Sequence, residues 1–171
     1  MILSGNEIYK QVKLGNIKID PFELNNINPN SYNYRLGEDY KIANGNLNKA
    51  NNSRSKKIPK NGLLLEPGKV VLSTTHEIIG SEKFVTSLIG RSSVGRLGLF
   101  LQISADLGQL GDGHKWTLEL TCVQPIKIYP MMKIGQVSFW VTFGNRNLYT
   151  GFYTGFNSPA CCMDSMLNGN E

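Results

Sequence analysis

The chain has 171 residues, 40% of them hydrophobic and 18% charged, which are the proportions of a water-soluble globular fold with a sizeable core. No apolar run reaches the length of a membrane span, and the N-terminus lacks the basic-then-apolar pattern of a secretory signal. Eighteen basic against 13 acidic residues leave a formal charge of +5, a mild excess that suits an anionic ligand and equally an ordinary basic surface.

Ser4-Gly5-Asn6-Glu7 matches a helix capping box, Ile8 and Val12 follow one turn apart, and Gly15 offers a stop. A short helix is expected over about 4–14. Residues 17–20 predict a short strand ending at Pro21. Tyr32, Tyr34 and Leu36 alternate with Asn33 and Arg35, which predicts a strand through about 31–37. Residues 44–62 are polar, with five cations and few apolar side chains. They predict a solvated loop or hairpin extension, and the lack of interleaved aromatics argues against a nucleic-acid patch. From Leu63 onward the pattern is β: runs at about 70–75, 84–89, 99–104, 116–123, 126–129 and 133–143, separated by Gly and Pro turns, with 107–113 as a glycine-bearing loop. Many short strands at close spacing predict an all-β sandwich, distorted barrel or jelly roll in one domain over 1–171. From about residue 145 the chain has no periodicity, and a tail or arm is expected there.

Three cysteines, an odd count, fit a reducing cytoplasm rather than a disulfide framework. Cys122 falls on an apolar strand face as a core residue; Cys161 and Cys162 are adjacent near the tail. Only His76 and His114 are present, with no C-x-x-C, H-x-E or H-x-x-x-H, so no zinc site is expected.

Residues 90–121 concentrate the chemistry. Gly90-Arg91-Ser92-Ser93-Val94-Gly95-Arg96-Leu97-Gly98-Leu99 puts two cations, two hydroxyls and three glycines into ten residues, a composition suited to gripping a phosphate chain. In the later run, Trp116, Leu118, Leu120 and Cys122 share one strand face, while Thr117, Glu119 and Thr121 share the other. Glu119 has no lysine or arginine beside it on that face and is a candidate base; a plain exposed strand carboxylate gives the same spacing.

These residues carry a resemblance. The GRSS-x-x-R-x-GL run, Ala105 and Trp116-Thr117-Leu118-Glu119 resemble the dCTP deaminase branch of the dUTPase-like superfamily. So do the Asn28–Leu36 segment, the Leu65–Gly68 turn, Cys122–Ile126 and the opening Met1–Gly5. The likeness runs from residue 1 to about 143. It implies a distorted β-barrel or jelly roll of the dUTPase-like type with a short N-terminal helix, assembled as a homotrimer with sites between subunits. It implies zinc-free deamination of dCTP to dUTP. Glu119 would activate the attacking water and shuttle its proton to ammonia, and Arg96 and Ser92 would orient that water. Arg91, Ser92, Ser93 and Gly95 would hold the triphosphate as its magnesium complex. Ala105 would meet the base edge through its backbone, with Gln109, Thr117 and Tyr153 completing the substrate contacts.

The chain also departs from that family. Gln109 stands where an aspartate usually meets the deoxyribose, and a glutamine brings no charge and donates as well as accepts. Asp112 replaces an aromatic, His114 a glycine, Leu107 an arginine, and Asn33 a frequent aspartate. The tail keeps only an echo, around Tyr153, of the residues that close over the phosphates. Two alternatives accompany the deaminase reading: a trimer that captures a nucleotide without turnover, motivated by Gln109, and a dUTP or dCTP diphosphatase.

Overall fold

A computed structural model describes residues 1–43, 54–102, 105–151 and 154–161. The polar run at 44–53, Tyr153 and Cys162 therefore lie outside the described residues.

Helix α1 (Gly5–Lys13) leads to β1 (Lys18–Asp20), a 3-10 turn (Leu24–Asn26), β2 (Ile27–Asn28), β3 (Ser31–Arg35) and β4 (Asp39–Ile42). Then come β5 (Lys56–Lys57), β6 (Leu63–Leu65), β7 (Val71–Thr74), β8 (Ile78–Ser81) and β9 (Phe84–Gly90). The last part holds α2 (Ser92–Gly95), β10 (Leu99–Leu101), β11 (Gly111–His114), β12 (Thr117–Cys122), β13 (Ile126–Ile128) and β14 (Lys133–Val141). Strand outweighs helix, 43% against 11%, as the alternating runs predict.

All strand pairs are antiparallel. The main sheets run β10-β12-β7-β4-β5 and β2-β3-β14-β9; smaller ones run β1-β8-β11 and β13-β6. Among the described residues they stay open rather than closing into one ring. Two differences from the sequence expectation stand out. Gly111–His114, whose first three residues were expected as loop, pairs with β8. The phosphate-type run folds a single helical turn at α2 before β10.

The core lies between the sheets. Tyr32, Tyr34 and Leu36 from around β3, Leu118 and Leu120 from β12, and Val137 and Phe139 from β14 are all fully buried. Each such side chain contributes about 1.5–3 kcal/mol relative to exposure. Ser4 caps α1, its Oγ accepting the Glu7 N–H at 3.4 Å, and α1 buries Ile8 completely.

Tyr34 ties β3 to both β14 and β9. Gly135 has no Cβ because the Tyr34 ring fills that space, and the β3–β14 register shifts there. Tyr34 then donates its hydroxyl proton to the Ile89 carbonyl at 3.2 Å, fixing the strand that enters the Gly90-Arg91 turn. Glu77 is fully buried and accepts the Arg35 backbone N–H at 2.8 Å and Nε–H at 2.7 Å.

Candidate functional site

Strand β12 is clamped on both sides, by β10 and by β7. Its alternation is as the sequence predicts: Leu118, Leu120 and Cys122 are buried, while Thr117, Glu119 and Thr121 are half-buried on the opposite face. Two fully buried leucines flank Glu119, so its backbone has little freedom.

Glu119 borders a cavity of about 450 Å³, large enough for a nucleoside. Ala105, Gln109, His114, Trp116 and Thr117 line it too. The structure thus brings four sequence candidates, Ala105, Gln109, Thr117 and Glu119, into one hollow. Trp116, placed by the alternation on the face of Leu118 and Leu120, is only partly buried: it packs against the core, lines the cavity, and donates Nε1–H to the Ile79 carbonyl at 2.9 Å.

The tail forms part of the wall. Tyr149 donates its N–H to the Leu110 carbonyl at 2.8 Å. Asn157 Oδ1 accepts the Lys115 N–H and Thr117 Oγ1 accepts the Ala160 N–H, both at 3.1 Å. Tyr149, Thr154, Phe156 and Cys161 border the cavity. The described part of the tail thus lies against its own chain's cavity.

His114 stacks on Trp116 with ring centroids 4.3 Å apart. Burial pushes its pKa below the ordinary 6.5, against a smaller upward pull from Asp112. The unfolded chain therefore binds a proton there first. This contribution to stability is complete above pH 6.5 and is lost as pH falls through 6.5 toward the lower folded value. The melting temperature of the wild type is expected to drop more steeply between pH 7 and pH 5 than that of His114→Gln; equal slopes in parallel thermal melts would contradict this.

The anion-type turn sits elsewhere. Val94 anchors α2 in the core, while Ser92, Ser93 and Arg96 are exposed. Gly95 closes the turn, its N–H bonding to the Arg91 carbonyl at 2.9 Å, and Arg91 Nη1 donates to the Lys133 carbonyl at 3.3 Å. Beyond α2, Gly98 accepts the N–H of Val123, four residues past Glu119 and about 13 Å along the strand. Within one chain, Arg91, Ser92, Ser93, Gly95 and Arg96 therefore do not border the Glu119 cavity.

The sequence reading missed two groups of residues. Next to the turn, Gly135 pairs with Gly90, and the neighbouring Gln136 accepts from Ser31 Oγ at 2.8 Å. Asn28 donates to that hydroxyl at 3.1 Å and accepts from Asn33 at 3.0 Å. The polar alternation opposite Tyr32 and Tyr34 was the signal for this cluster. The second is Gln102, a non-glycine at φ 52°, a conformation costing about 1–2 kcal/mol. No sequence pattern marked it. Among the described residues, no cluster of three His, Cys, Asp or Glu side chains could hold a metal ion, and no helix is long and apolar enough to cross a membrane.

Open antiparallel sheets, a cavity bordered by Glu119 and a separate Arg-Ser-Ser turn define a mostly-β protein. Residues 2–142 match the family model described as dCTP deaminase-like. The chain belongs to the dCTP deaminase-like family. A Clostridium beijerinckii protein named "dCTP deaminase, dUMP-forming" is 45% identical over 153 residues, 88% of each chain. A Hathewaya histolytica protein of the same name is 47% identical, again over 88% of each. A Rhodopirellula baltica protein named "dCTP deaminase" is 43% identical over 85% of this chain and 74% of its own. Among solved structures, the 2'-deoxycytidine 5'-triphosphate deaminase from Agrobacterium tumefaciens superposes with a TM-score of 0.65 at 19% identity, over 82% of this chain. This chain covers about half of it, 48%.

Proposed function

We propose that this chain converts dCTP to dUMP, removing the 4-amino group as ammonia and releasing diphosphate. The observation that carries the reading is Glu119 beside Ala105, Gln109 and Thr117 in a nucleoside-sized cavity. Relatives of 45–47% identity whose names state both the substrate and the dUMP product support it. The dUMP ending of those names joins the deaminase reading to the diphosphate-releasing alternative.

Glu119 takes a proton from water as its oxygen attacks C4 of the cytosine. It returns that proton to the departing nitrogen, and the remaining hydroxyl proton ends on N3, so the C4–N bond breaks, ammonia leaves and the C4 carbonyl forms. Ala105 offers a backbone carbonyl to the 4-amino group. Gln109 and Thr117 meet the sugar and base. Arg91, Ser92, Ser93 and the Gly95 turn take the triphosphate. Magnesium arrives on the phosphates as part of the substrate, a role needing no protein ligand cluster. Water attack on the phosphate chain then separates diphosphate from the monophosphate.

Arg96 and Ser92 belong in this scheme beside Glu119, yet in one chain the turn lies well down the strand from it. The site is therefore completed by a second copy, in a homotrimer whose subunits exchange turns. We read the chain as one cytoplasmic domain whose tail, from about residue 145, walls the cavity.

The test is incubation with dCTP, dUTP and other pyrimidine nucleotides, with products read by chromatography and mass. dUMP, ammonia and diphosphate from dCTP are expected. dUTP as the end product would reject diphosphate release. dCTP recovered unchanged but bound would favour a capturing protein, the reading that Gln109 motivates.

A further inference from the structure

The ladder between β10 and β12 pairs Leu99 with Cys122, Phe100 with Thr121 and Leu101 with Leu120. The next rung would join Gln102 to Glu119. There the backbone of Gln102 swings to φ 52°, and its side chain makes the rung instead: Oε1 accepts the Glu119 N–H at 3.0 Å. The other end of the same amide, Nε2, donates to the Ala105 carbonyl at 3.4 Å. Gln102 is 8% exposed, so little water reaches these bonds. A neutral amide presents an acceptor and a donor on one rigid plane, whereas neither a carboxylate nor an aliphatic side chain serves both partners.

We infer that Gln102 is a positioning residue that ties the Glu119 backbone to the Ala105 carbonyl and so fixes both around the base's C4 edge. This rests on the reading proposed above. Glu119 and Ala105 border the same cavity, one suited to activating water and the other to accepting from an amino group. A carbonyl held as an acceptor favours a 4-amino pyrimidine over a 4-oxo one, which presents an acceptor of its own. Gln102 thereby serves turnover and discrimination of substrate from product without touching either. The strained backbone fits this role: glycine would relieve it, but only a glutamine supplies the brace.

Two variants separate the contributions. Gln102→Gly suits the left-handed backbone and removes both bonds. Gln102→Glu keeps an acceptor for the Glu119 N–H and loses the donor to Ala105. In Gln102→Gly the melting temperature is expected not to fall. Its kcat for ammonia release is expected to fall about 100-fold with little change in KM, because the phosphate grip lies elsewhere. A kcat within about threefold of wild type, or a loss seen only in KM, overturns the inference. The second measurement is calorimetric binding of dCTP and dUTP with Glu119→Gln added to both backgrounds. Gln102→Glu is expected to lose the preference for dCTP; an unchanged preference overturns the inference. If the wild type releases no ammonia, the proposed function fails, and the binding comparison still decides the role of Gln102.

Discussion

Glu119→Gln is expected to lower ammonia release from dCTP by about 10²–10⁴-fold, the usual contribution of a positioned proton-transfer group. The substitution keeps size and shape, so packing is unchanged. The Leu118 and Leu120 side chains that hold this stretch of β12 are fully buried and face the other way. The bond from the Glu119 backbone N–H to Gln102 is untouched, since it does not involve the side chain. What disappears is the ability to take a proton from water and give it to nitrogen. dCTP binding and the melting temperature should therefore stay close to wild type while turnover collapses. Calorimetry, thermal melts and product analysis on the same preparation check all three. A variant that still deaminates within about tenfold of wild type would place the base elsewhere in the cavity.

Much of this was legible in the sequence because one signal, strict alternation, was strong where it mattered. Thr117 to Cys122 announced both the core face and the carboxylate face of β12. The Arg-Ser-Ser run stood out as a candidate anion grip by composition alone. What stayed hidden depended on contacts distant in sequence. Gly111-Asp112-Gly113 reads as loop, because two glycines lower strand propensity. It pairs with β8 because Gly80 leaves room for it: a Cβ on Gly80 would collide with the Gly113 Cα. Gln102 and Gln136 gave no periodic signal, and their roles exist only once folding brings them within hydrogen-bond reach of Glu119 and Ser31. The tail has no pattern because separate hydrogen bonds through Tyr149, Asn157 and Ala160 hold it, not a repeating face. That the Arg-Ser-Ser turn and Glu119 lie apart in one chain is not a matter of motif composition either, since motifs list residues without distances; only the resemblance, with its sites between subunits, pointed that way.

Arg35→Met is expected to destabilise the fold by about 3–5 kcal/mol, the cost of stranding one partner of a buried ion pair. Glu77→Gln should cost less, about 1–3 kcal/mol. The asymmetry comes from the group each change leaves behind. Removing Arg35's guanidinium leaves a fully buried carboxylate whose remaining partner from that pairing is the residue 35 backbone N–H. Removing the charge of Glu77 leaves an arginine still paired with the half-exposed Glu23. The consequences reach the cavity. Thr75 donates its hydroxyl proton to the Glu77 carbonyl at 2.7 Å and accepts the Trp116 N–H at 3.0 Å, so loosening residue 77 loosens the Trp116 wall at the head of β12. Denaturant melts of both variants check the order. Equal losses, or a larger loss for Glu77→Gln, would mean that the buried carboxylate reaches water or another donor once Arg35 is gone, and that the pair does not brace the site from below.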